Sequence, residues 1–270
     1  TGSTRTARAI NKTLADKDGP IVPFIAETGG LNAMIVDATA LPEQVADDVV
    51  MSAFRSAGQR CSALRLLFVQ EDVADRMLEM IAGAADELKL GDPTRADTDV
   101  GPIIDANQKQ MLSSHIEDMR RSQKVLYAGR APTEGTFFAP HIVELASAAD
   151  LAKEVFGPVL HVVRWKGKDL DKVIDAVAAS GYGLTLGIHS RISDTISTIT
   201  KALDVGNIYI NRNMIGAVVG TQPFGGSGLS GTGFKAGGPN YLRRFALEQV
   251  ISVNTAAAGG NASLIAIGEG

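Results

Sequence analysis

The sequence is poor in cysteine and in long apolar runs. Its single cysteine, Cys61, excludes a framework of intramolecular disulfides. No apolar stretch reaches membrane-spanning length, and the first residues do not follow the pattern of a signal peptide. We therefore expect a cytoplasmic protein without a transmembrane segment.

Positive charge is also scarce. Lys and Arg number 26 against 30 Asp and Glu, which gives a net charge of -4 at pH 7, and the basic residues are dispersed. The chain therefore has no basic field that would attract nucleic acid. With 270 residues, 45% of them hydrophobic and 21% charged, the composition is typical of a globular protein with one large or two modest domains.

An initiator Met is absent as well. The chain opens with TGST at residues 1–4 and runs into a helical pattern over residues 7–14. A turn of small residues that leads directly into a helix is typical of the interior of a fold. We therefore expect the sequence to be a fragment of a longer polypeptide.

Apolar stretches alternate with segments of helical period along most of the chain. This alternation predicts an α/β fold with a largely parallel sheet. Strands are predicted at residues 21–26, 33–36, 64–69, 159–163, 184–189, 207–210 and 250–253. Helices are predicted at residues 7–14, 42–54, 72–88, 105–121, 170–179 and 194–203.

The most informative residues are Cys61 and Glu27. Cys61 lies in SAGQRCS at residues 56–62, whereas a thiol that only fills a core has apolar neighbours. Glu27 follows the predicted strand at 21–26, so we expect it at the carboxyl end of a buried strand, where open α/β sheets bind ligands. A thiol and a carboxylate together suit covalent catalysis. The alternatives are a buried structural cysteine and an ordinary surface carboxylate.

Arg60 immediately precedes the cysteine. A guanidinium beside a thiol lowers its pKa and favours the thiolate. The side chain could equally face solvent, so the sequence leaves both interpretations of Arg60 open.

Two loops interrupt the pattern of helices and strands. EVFGP at residues 154–158 joins a helical segment to a strand, and its Gly-Pro pair predicts a sharp entry. Residues 221–233 contain five glycines, which indicates a flexible linker or a loop that bends back over a pocket. The flanking strand and the Pro-Phe pair favour the second interpretation. Residues 254–270, rich in Ala, Gly and Asn, predict a tail that becomes ordered only against another surface.

Five motifs resemble, in order and spacing, those of the NAD(P)-dependent aldehyde dehydrogenases. They are GST at residues 2–4, ETGG at 27–30, GQRC at 58–61, EVFGP at 154–158 and PFGG at 223–226. More narrowly, residues 26–37, 56–66 and 251–263 resemble the aldehyde dehydrogenase module of bifunctional proline utilization enzymes. The resemblance implies a three-layer, doubly wound α/β catalytic domain and the end of a Rossmann-type cofactor domain. It also implies NAD-dependent oxidation of L-glutamate γ-semialdehyde to L-glutamate.

The resemblance implies defined roles for Cys61 and Glu27. The Cys61 thiolate would attack the aldehyde to form a hemithioacetal, and loss of hydride to NAD would leave a thioester. Glu27 would activate the water that hydrolyses this thioester. The backbone N–H of Cys61 would donate a hydrogen bond to the oxyanion. No metal is implied.

The same resemblance implies a partial cofactor site. Gly2 and Ser3 would lie at the cofactor pyrophosphate, at the N-terminus of a helix. Glu154 would hold the hydroxyls of the nicotinamide ribose, and Phe156 would lie against that ribose. The alternative for Glu154 is a carboxylate on the face of a helix.

A substrate-binding group is implied as well. Ser62, Gly226 and Ser227 would receive the α-carboxylate of the substrate through hydroxyl and amide donors. Phe234 would pack against the aliphatic part of the substrate or serve as an ordinary core residue.

The first half of an aldehyde dehydrogenase has no counterpart in this chain. The resemblance implies that this half supplies most of the cofactor domain and an asparagine that donates a second hydrogen bond to the oxyanion. FAD would serve only a separate proline-oxidising module, which is also absent. We therefore expect the missing N-terminal portion of the same enzyme as a partner, together with a small-molecule aldehyde and a homo-oligomeric assembly.

Three regions are assigned on this basis. Residues 1–28 are the end of the NAD-binding domain, residues 29–226 the catalytic domain, and residues 227–270 a return segment that anchors the substrate and an association tail. Two other functions stay open: oxidation of another semialdehyde, such as succinate semialdehyde, and a catalytically silent scaffold that keeps the fold.

Overall fold

The computed structural model describes residues 1–218, 220–254 and 257. Its helices are α1 (Thr4–Asp16), α2 (Pro42–Phe54), α3 (Glu71–Asp86), α4 (Ala106–Ser122), α5 (Leu170–Ala179) and α6 (Ser193–Ala202). Its strands are β1 (Ala33–Val36), β2 (Leu66–Gln70), β3 (Lys124–Ala128), β4 (His141–Glu144), β5 (Val159–Trp165), β6 (Tyr182–Gly183), β7 (Thr185–His189), β8 (Asn207–Ile210) and β9 (Ser227–Gly228). No helix within these residues is long and apolar enough to cross a membrane.

Seven strands form one sheet in the order β3-β4-β5-β2-β1-β7-β8. Neighbouring strands are parallel except for β3, which runs antiparallel to β4 at one edge. The sheet grows from β1 to β2 on one side and to β7 on the other, so the order reverses at β1. The predicted doubly wound, largely parallel α/β sheet is confirmed. β6 and β9 form a separate antiparallel pair.

Helices cover both faces of the sheet. Ile35 of β1 and Phe68 of β2 belong to a core that includes residues of α4, α5 and α6. Met34 and Leu67, the neighbours of those residues, belong to a second core with α2 and α3. Successive side chains of a strand point to opposite faces, so a strand buried on both faces is apolar throughout. This explains why AMIV in β1 has no alternation of apolar and polar residues.

The six predicted helices all form. α2 and α5 occupy the predicted residues, and α3, α4 and α6 begin within one residue of prediction. Strands β1 and β8 also coincide with prediction, and β2, β5 and β7 overlap it closely. These elements carry the longest apolar periodicity, which is the most reliable local signal.

The predicted strand at residues 21–26 is wrong. Ile21 is fully exposed, and within the described residues the bridge near this segment joins Glu27 to Gly231. Ala26 bonds instead to Thr232 of the glycine-rich loop, whose N–H donates to the Ala26 carbonyl over 3.0 Å. A strand requires a neighbouring ladder, and none of the described strands runs beside residues 21–25. Glu27 therefore does not lie at the end of a buried strand.

The predicted strand at residues 250–253 is also wrong. Val250, Ile251 and Val253 are largely exposed, and no described strand pairs with them. An apolar segment becomes a strand only where another strand edge is available to it. Of the predicted tail, residues 255, 256 and 258–270 lie outside the described residues.

No local signal in the sequence predicts four of the strands, β3, β4, β6 and β9. β3 and β4 form an antiparallel pair at the sheet edge, and the side chains at both ends of β3 are exposed. β9 has two residues and pairs with β6. Such short or half-exposed strands are determined by the neighbouring strand and carry little periodicity of their own.

Candidate active site

The predicted catalytic residues lie at the amino edge of the sheet. Glu27 precedes β1, Cys61 precedes β2, and Glu154 precedes β5. We expected the carboxyl edge, where open α/β sheets usually bind ligands. The chain returns through α2 from the carboxyl end of β1 to the amino end of β2, so a nucleophile placed after α2 belongs to the opposite edge.

A tight turn carries the chain from α2 to the cysteine. Ser56, Ala57 and Gly58 have φ values of 56°, 54° and 62°. The left-handed conformation costs a non-glycine residue about 1–2 kcal/mol, so this turn is maintained by its surroundings. A Cβ on Gly58 would lie 2.2 Å from the carbonyl oxygen of Gly157. The turn that leads to Cys61 therefore packs closely against the loop that contains Glu154.

Hydrogen bonds from Asn32 connect the loop that carries Cys61 to the centre of the sheet. Its Nδ2 donates to the carbonyls of Cys61 over 2.6 Å and Ala63 over 2.9 Å. Its Oδ1 accepts from the backbone N–H of Thr185 in β7 over 3.3 Å. Sequence reasoning missed this residue. The only signal was a polar residue directly before an apolar strand.

The Cys61 thiol is partly buried and interacts electrostatically with two carboxylates. Burial raises its pKa, hydrogen bonds from the backbone N–H groups of Ser62 and Cys61 lower it, and the charges of Glu154 and Glu27 raise it. The pKa is therefore raised above its ordinary value, so the resting group is a protonated thiol. A nucleophile in this state requires a base to remove its proton.

The cation associated with the thiol is Arg65. Its guanidinium is fully buried, and its electrostatic interaction with Cys61 favours the charged guanidinium. Arg60 is half-buried instead, and its Nε donates to Ser56 Oγ over 3.0 Å. Arg60 thus remains partly exposed and bonds within the turn. Sequence reasoning missed Arg65.

Glu27 is enclosed by the glycine-rich loop. Its Oε2 accepts from the N–H of Gly226 over 3.0 Å, and its Oε1 is buried with no hydrogen-bond partner in the described part of the chain. A Cβ on Gly225 would lie 2.8 Å from Oε1. Burial raises the pKa of Glu27, while the Gly226 hydrogen bond and the charge of Lys235 oppose this increase. Such a carboxylate is suited to accept a proton.

The glycine-rich loop bends back onto the site, as expected. The Thr28 N–H donates to the Ser230 carbonyl over 2.9 Å, which joins the loop to the residue after Glu27. Thr28 Oγ1 donates to the Leu229 carbonyl over 2.5 Å. The loop is therefore packed against the fold and is not a flexible linker.

Glu154 and Phe156 both lie against the guanidinium of Arg65. Glu154 Oε1 forms an ion pair with Arg65 Nη2 at 3.2 Å, and the Gly30 N–H hydrogen-bonds to the carboxylate. A Cβ on Gly29 would lie 1.7 Å from Glu154 Oε2, so only glycine permits this approach. Burial raises the pKa of Glu154, and Arg65 opposes this increase. The Glu154 side chain remains 19% exposed, and a carboxylate can accept several hydrogen bonds.

Gly2 and Ser3 also reach this region. The Gly2 N–H donates to the Glu27 carbonyl over 3.0 Å. Ser3 is the N-cap of α1, and its Oγ accepts from the Thr6 N–H over 3.1 Å. The first-turn amides of a helix have no partners within the helix and favour an anion.

The four predicted substrate residues occupy three places. Ser62 is buried, and Gly226 and Ser227 lie on the loop beside Glu27, where Ser227 Oγ donates to the Asp204 carbonyl over 3.3 Å. Phe234 lines a cleft of about 790 Å³ next to β8, and this cleft does not include the other three. The guanidinium carbon of Arg244 lies 4.9 Å from the centre of the Phe234 ring. Phe234 is therefore not an ordinary core residue.

The family model described as the aldehyde dehydrogenase family matches residues 1–251. The chain belongs to the aldehyde dehydrogenase family. It is 55% identical over 255 residues to the bifunctional protein PutA of Klebsiella aerogenes, covering 90% of this chain and 19% of that protein.

Solved structures agree with this assignment. A mutant of proline utilization A from Bradyrhizobium japonicum is 68% identical with a TM-score of 0.92, over 96% of this chain and 26% of that one. A 1-pyrroline-5-carboxylate dehydrogenase from Thermus with bound NAD is 35% identical with a TM-score of 0.83, over 90% of this chain and 48% of that one. The chain thus spans about a fifth of the Klebsiella protein, about a quarter of the Bradyrhizobium protein and less than half of the Thermus enzyme.

Proposed function

We propose that the chain forms the catalytic part of an NAD-dependent dehydrogenase that oxidises L-glutamate γ-semialdehyde to L-glutamate. The proposal rests mainly on the two carboxylates, Glu27 and Glu154, that interact with the partly buried thiol of Cys61. The similarity to PutA and to 1-pyrroline-5-carboxylate dehydrogenases supports the substrate. 1-Pyrroline-5-carboxylate opens on hydration to this semialdehyde.

The first step forms a bond between the Cys61 sulfur and the aldehyde carbon. Because burial raises the thiol pKa, the proton must leave as the sulfur attacks, and Glu27 is the nearby base whose pKa is also raised by burial. The carbonyl oxygen becomes the oxyanion of a hemithioacetal, and the Cys61 N–H donates to it. Bound NAD would supply the acceptor for the hydride that leaves the hemithioacetal carbon.

The second step hydrolyses the thioester on Cys61. Glu27, after releasing its proton to solvent, accepts a proton from water, and the resulting hydroxide attacks the thioester carbon. The carbon–sulfur bond then breaks, and the thiolate leaves with the bonding electron pair. A thiolate leaves readily, which is why a cysteine suits both steps.

The residues present fit a dinucleotide. Glu154 retains exposed carboxylate surface for ribose hydroxyls, and Gly29 leaves the space that its Oε2 occupies. Phe156 is about one-third exposed and is available to lie against a ribose. Gly2 and Ser3 at the start of α1 offer amides to the pyrophosphate. We propose Ser62, Gly226 and Ser227 for the substrate carboxylate and Phe234 for its aliphatic part.

The organisation of the complete enzyme is part of the proposal. Residues 1–28 would close the cofactor domain, residues 29–226 form the catalytic domain, and residues 227–270 the return segment and association tail. The missing N-terminal portion and a second copy of the chain would be its partners, and FAD would serve only a separate proline-oxidising module. The single cysteine supports a reducing compartment such as the cytoplasm.

The test compares substrates in the complete enzyme, with this chain joined to an upstream cofactor domain. We expect NADH formation with L-glutamate γ-semialdehyde and much less with succinate semialdehyde. Cys61→Ala should abolish NADH formation, and Glu27→Gln, which lacks the base of both steps, should slow both the NADH burst and steady-state turnover by about 100-fold or more.

Two results would contradict the proposal. Preference for succinate semialdehyde would refute the substrate. Unchanged turnover in Cys61→Ala would refute the mechanism and favour a silent scaffold, which has no need of the Cys61 and Glu27 pair.

A further inference from the structure

Arg65 lies inside the protein with none of its side chain exposed. Its Nη1 donates to the carbonyls of Gly58 over 2.7 Å and Gly157 over 3.1 Å. Its Nη2 donates to the carbonyl of Arg60 over 3.1 Å and to Glu154 Oε1 over 3.2 Å. One guanidinium thus donates hydrogen bonds to three backbone carbonyls and one carboxylate.

These acceptors belong to two separate loops. Gly58 and Arg60 precede Cys61 in the loop after α2, whereas Glu154 and Gly157 belong to the loop before β5. The guanidinium carbon also lies 5.2 Å from the centre of the Phe156 ring. A planar group with five fixed donors can connect both loops, whereas a lysine ammonium offers three donors on one nitrogen.

The charge of Arg65 also governs the charge of Glu154. Burial favours the neutral form of this carboxylic acid, and Arg65 is the largest influence in the opposite direction. Removal of one partner from a buried ion pair leaves the other charge uncompensated. Without Arg65, the pKa of Glu154 would therefore rise further, and the neutral form would be a poorer acceptor for ribose hydroxyls.

We propose that Arg65 is a positioning residue: it keeps Glu154 charged and oriented toward the nicotinamide ribose and fixes it to the loop that carries Cys61. The inference rests on the proposed function, since it gives Glu154 a role in NAD binding. The groups that face Glu154 are the Arg65 guanidinium, the Gly30 amide and the Cys61 thiol, and Glu27 interacts with the same thiol.

The test measures direct NAD binding and thermal unfolding of the complete enzyme at several pH values. In Arg65→Met, we expect NAD to bind about tenfold more weakly near pH 7, because a charge-assisted hydrogen bond is lost. As pH rises, Glu154 becomes charged again, so NAD binding should strengthen. Over the same range Tm should fall, because an unpaired buried carboxylate is unfavourable. The wild-type Kd should change little.

Two further variants separate positioning from a merely structural role. Arg65→Met combined with Glu154→Gln has no carboxylate to titrate, so its Tm should vary less with pH while NAD binding stays weak. Arg164→Met is the matched control, since Arg164 of β5 pairs with Glu144 of β4 and Asp75 of α3. This control should lower Tm and leave the Kd for NAD unchanged.

Wild-type NAD affinity in Arg65→Met, or a weakening that does not vary with pH, would overturn the inference. If Arg65→Met does not fold, Arg65→Lys retains the charge and tests the geometry. In Arg65→Lys, the Kd for NAD should not vary with pH, whereas alkylation of Cys61 should be slower than in the wild type. An unchanged rate of alkylation would contradict the proposed link between the loops of Cys61 and Glu154. Absence of semialdehyde oxidation by the wild type would refute only the proposed function, because NAD binding is measured directly.

Discussion

At the scale of single residues, burial disfavours the charged forms of three groups in the site. Cys61, Glu27 and Glu154 all have pKa values raised by burial, which favours the neutral form of each. Two cations oppose this effect, Arg65 at Glu154 and Lys235 at Glu27. Groups whose pKa values are shifted in this way are typical of catalytic sites.

Lys235 should set the pH range in which Glu27 works. Its charge lowers the pKa of Glu27 against the increase caused by burial. Lys235→Met should therefore raise this pKa, and because the base must be deprotonated, the acidic limb of the kcat profile should move to higher pH. We expect about a fivefold loss of kcat near pH 6 and little loss above about pH 8.

The measurement is steady-state NADH formation across pH in the complete enzyme. Lys235→Arg is the control, since it retains the charge and should preserve the wild-type profile. A profile of Lys235→Met that falls equally at every pH would show that Lys235 affects the fold and not the base.

At the scale of elements, close contacts between loops shape the site. The loop before β1 approaches Glu154 only because residue 29 is glycine. Gly29→Ala should displace the carboxylate and weaken NAD binding about tenfold or more, through the loss of a charge-assisted hydrogen bond. Calorimetry of NAD binding to the complete enzyme measures this effect.

Gly83→Ala is the matched control for that substitution. Gly83 lies within α3, and a Cβ there would meet nothing within 4 Å. The variant should bind NAD normally and gain about 0.5–1 kcal/mol of stability from the lower chain entropy of alanine. Equal NAD affinity in both variants would contradict the assigned contact.

The contact between β5 and α4 should make the fold sensitive to acid. His161 of β5 is buried with its Nε2 2.9 Å from His115 Nε2 of α4, and burial lowers its pKa to about 3. In the unfolded chain a histidine binds a proton at about pH 6.5. Between these values the unfolded state holds more protons, so stability should fall by about 1.4 kcal/mol per pH unit of acidification.

The free energy of unfolding, measured with urea from about pH 6.5 to about pH 5, should show this loss. In His161→Gln, the slope of this free energy against pH should correspond to roughly one proton fewer. His189, whose pKa burial lowers to about 4, should account for part of the slope that remains. An unchanged slope in His161→Gln would mean that His161 accepts a proton within the fold.

At the scale of the whole molecule, several apolar surfaces have no cover in the described residues. α1 buries none of its residues, and Ile21, Leu247 and Val250 are almost fully exposed. Large exposed apolar side chains concentrated on a few segments are typical of an interaction site. These surfaces lie on the segments assigned to the cofactor domain and the return segment, which supports contacts with the missing portion.

We therefore predict that the isolated chain of 270 residues forms little NADH and binds a hydrophobic dye. Coexpression with an N-terminal cofactor domain should reduce dye binding and increase NADH formation. The loss of one oxyanion donor alone typically costs about 100- to 1,000-fold in rate. Robust turnover by the isolated chain would refute this prediction.

The sequence by itself determined the α/β class, the helices and the central strands, because their apolar periodicity is a local property. It also identified Cys61, Glu27 and Glu154 through motifs whose spacing resembles a family. These signals need no knowledge of which segments are neighbours in space.

The tertiary structure decided where those residues lie and what surrounds them. The site lies at the amino edge of the sheet. The segment before Glu27 contacts a glycine-rich loop and does not form the predicted strand. Asn32 and Arg65, which were not predicted, bond to residues of the site. Arg65 bonds to residues up to 92 positions away along the chain. Contacts over such separations depend on how layers pack together, and no local pattern encodes them.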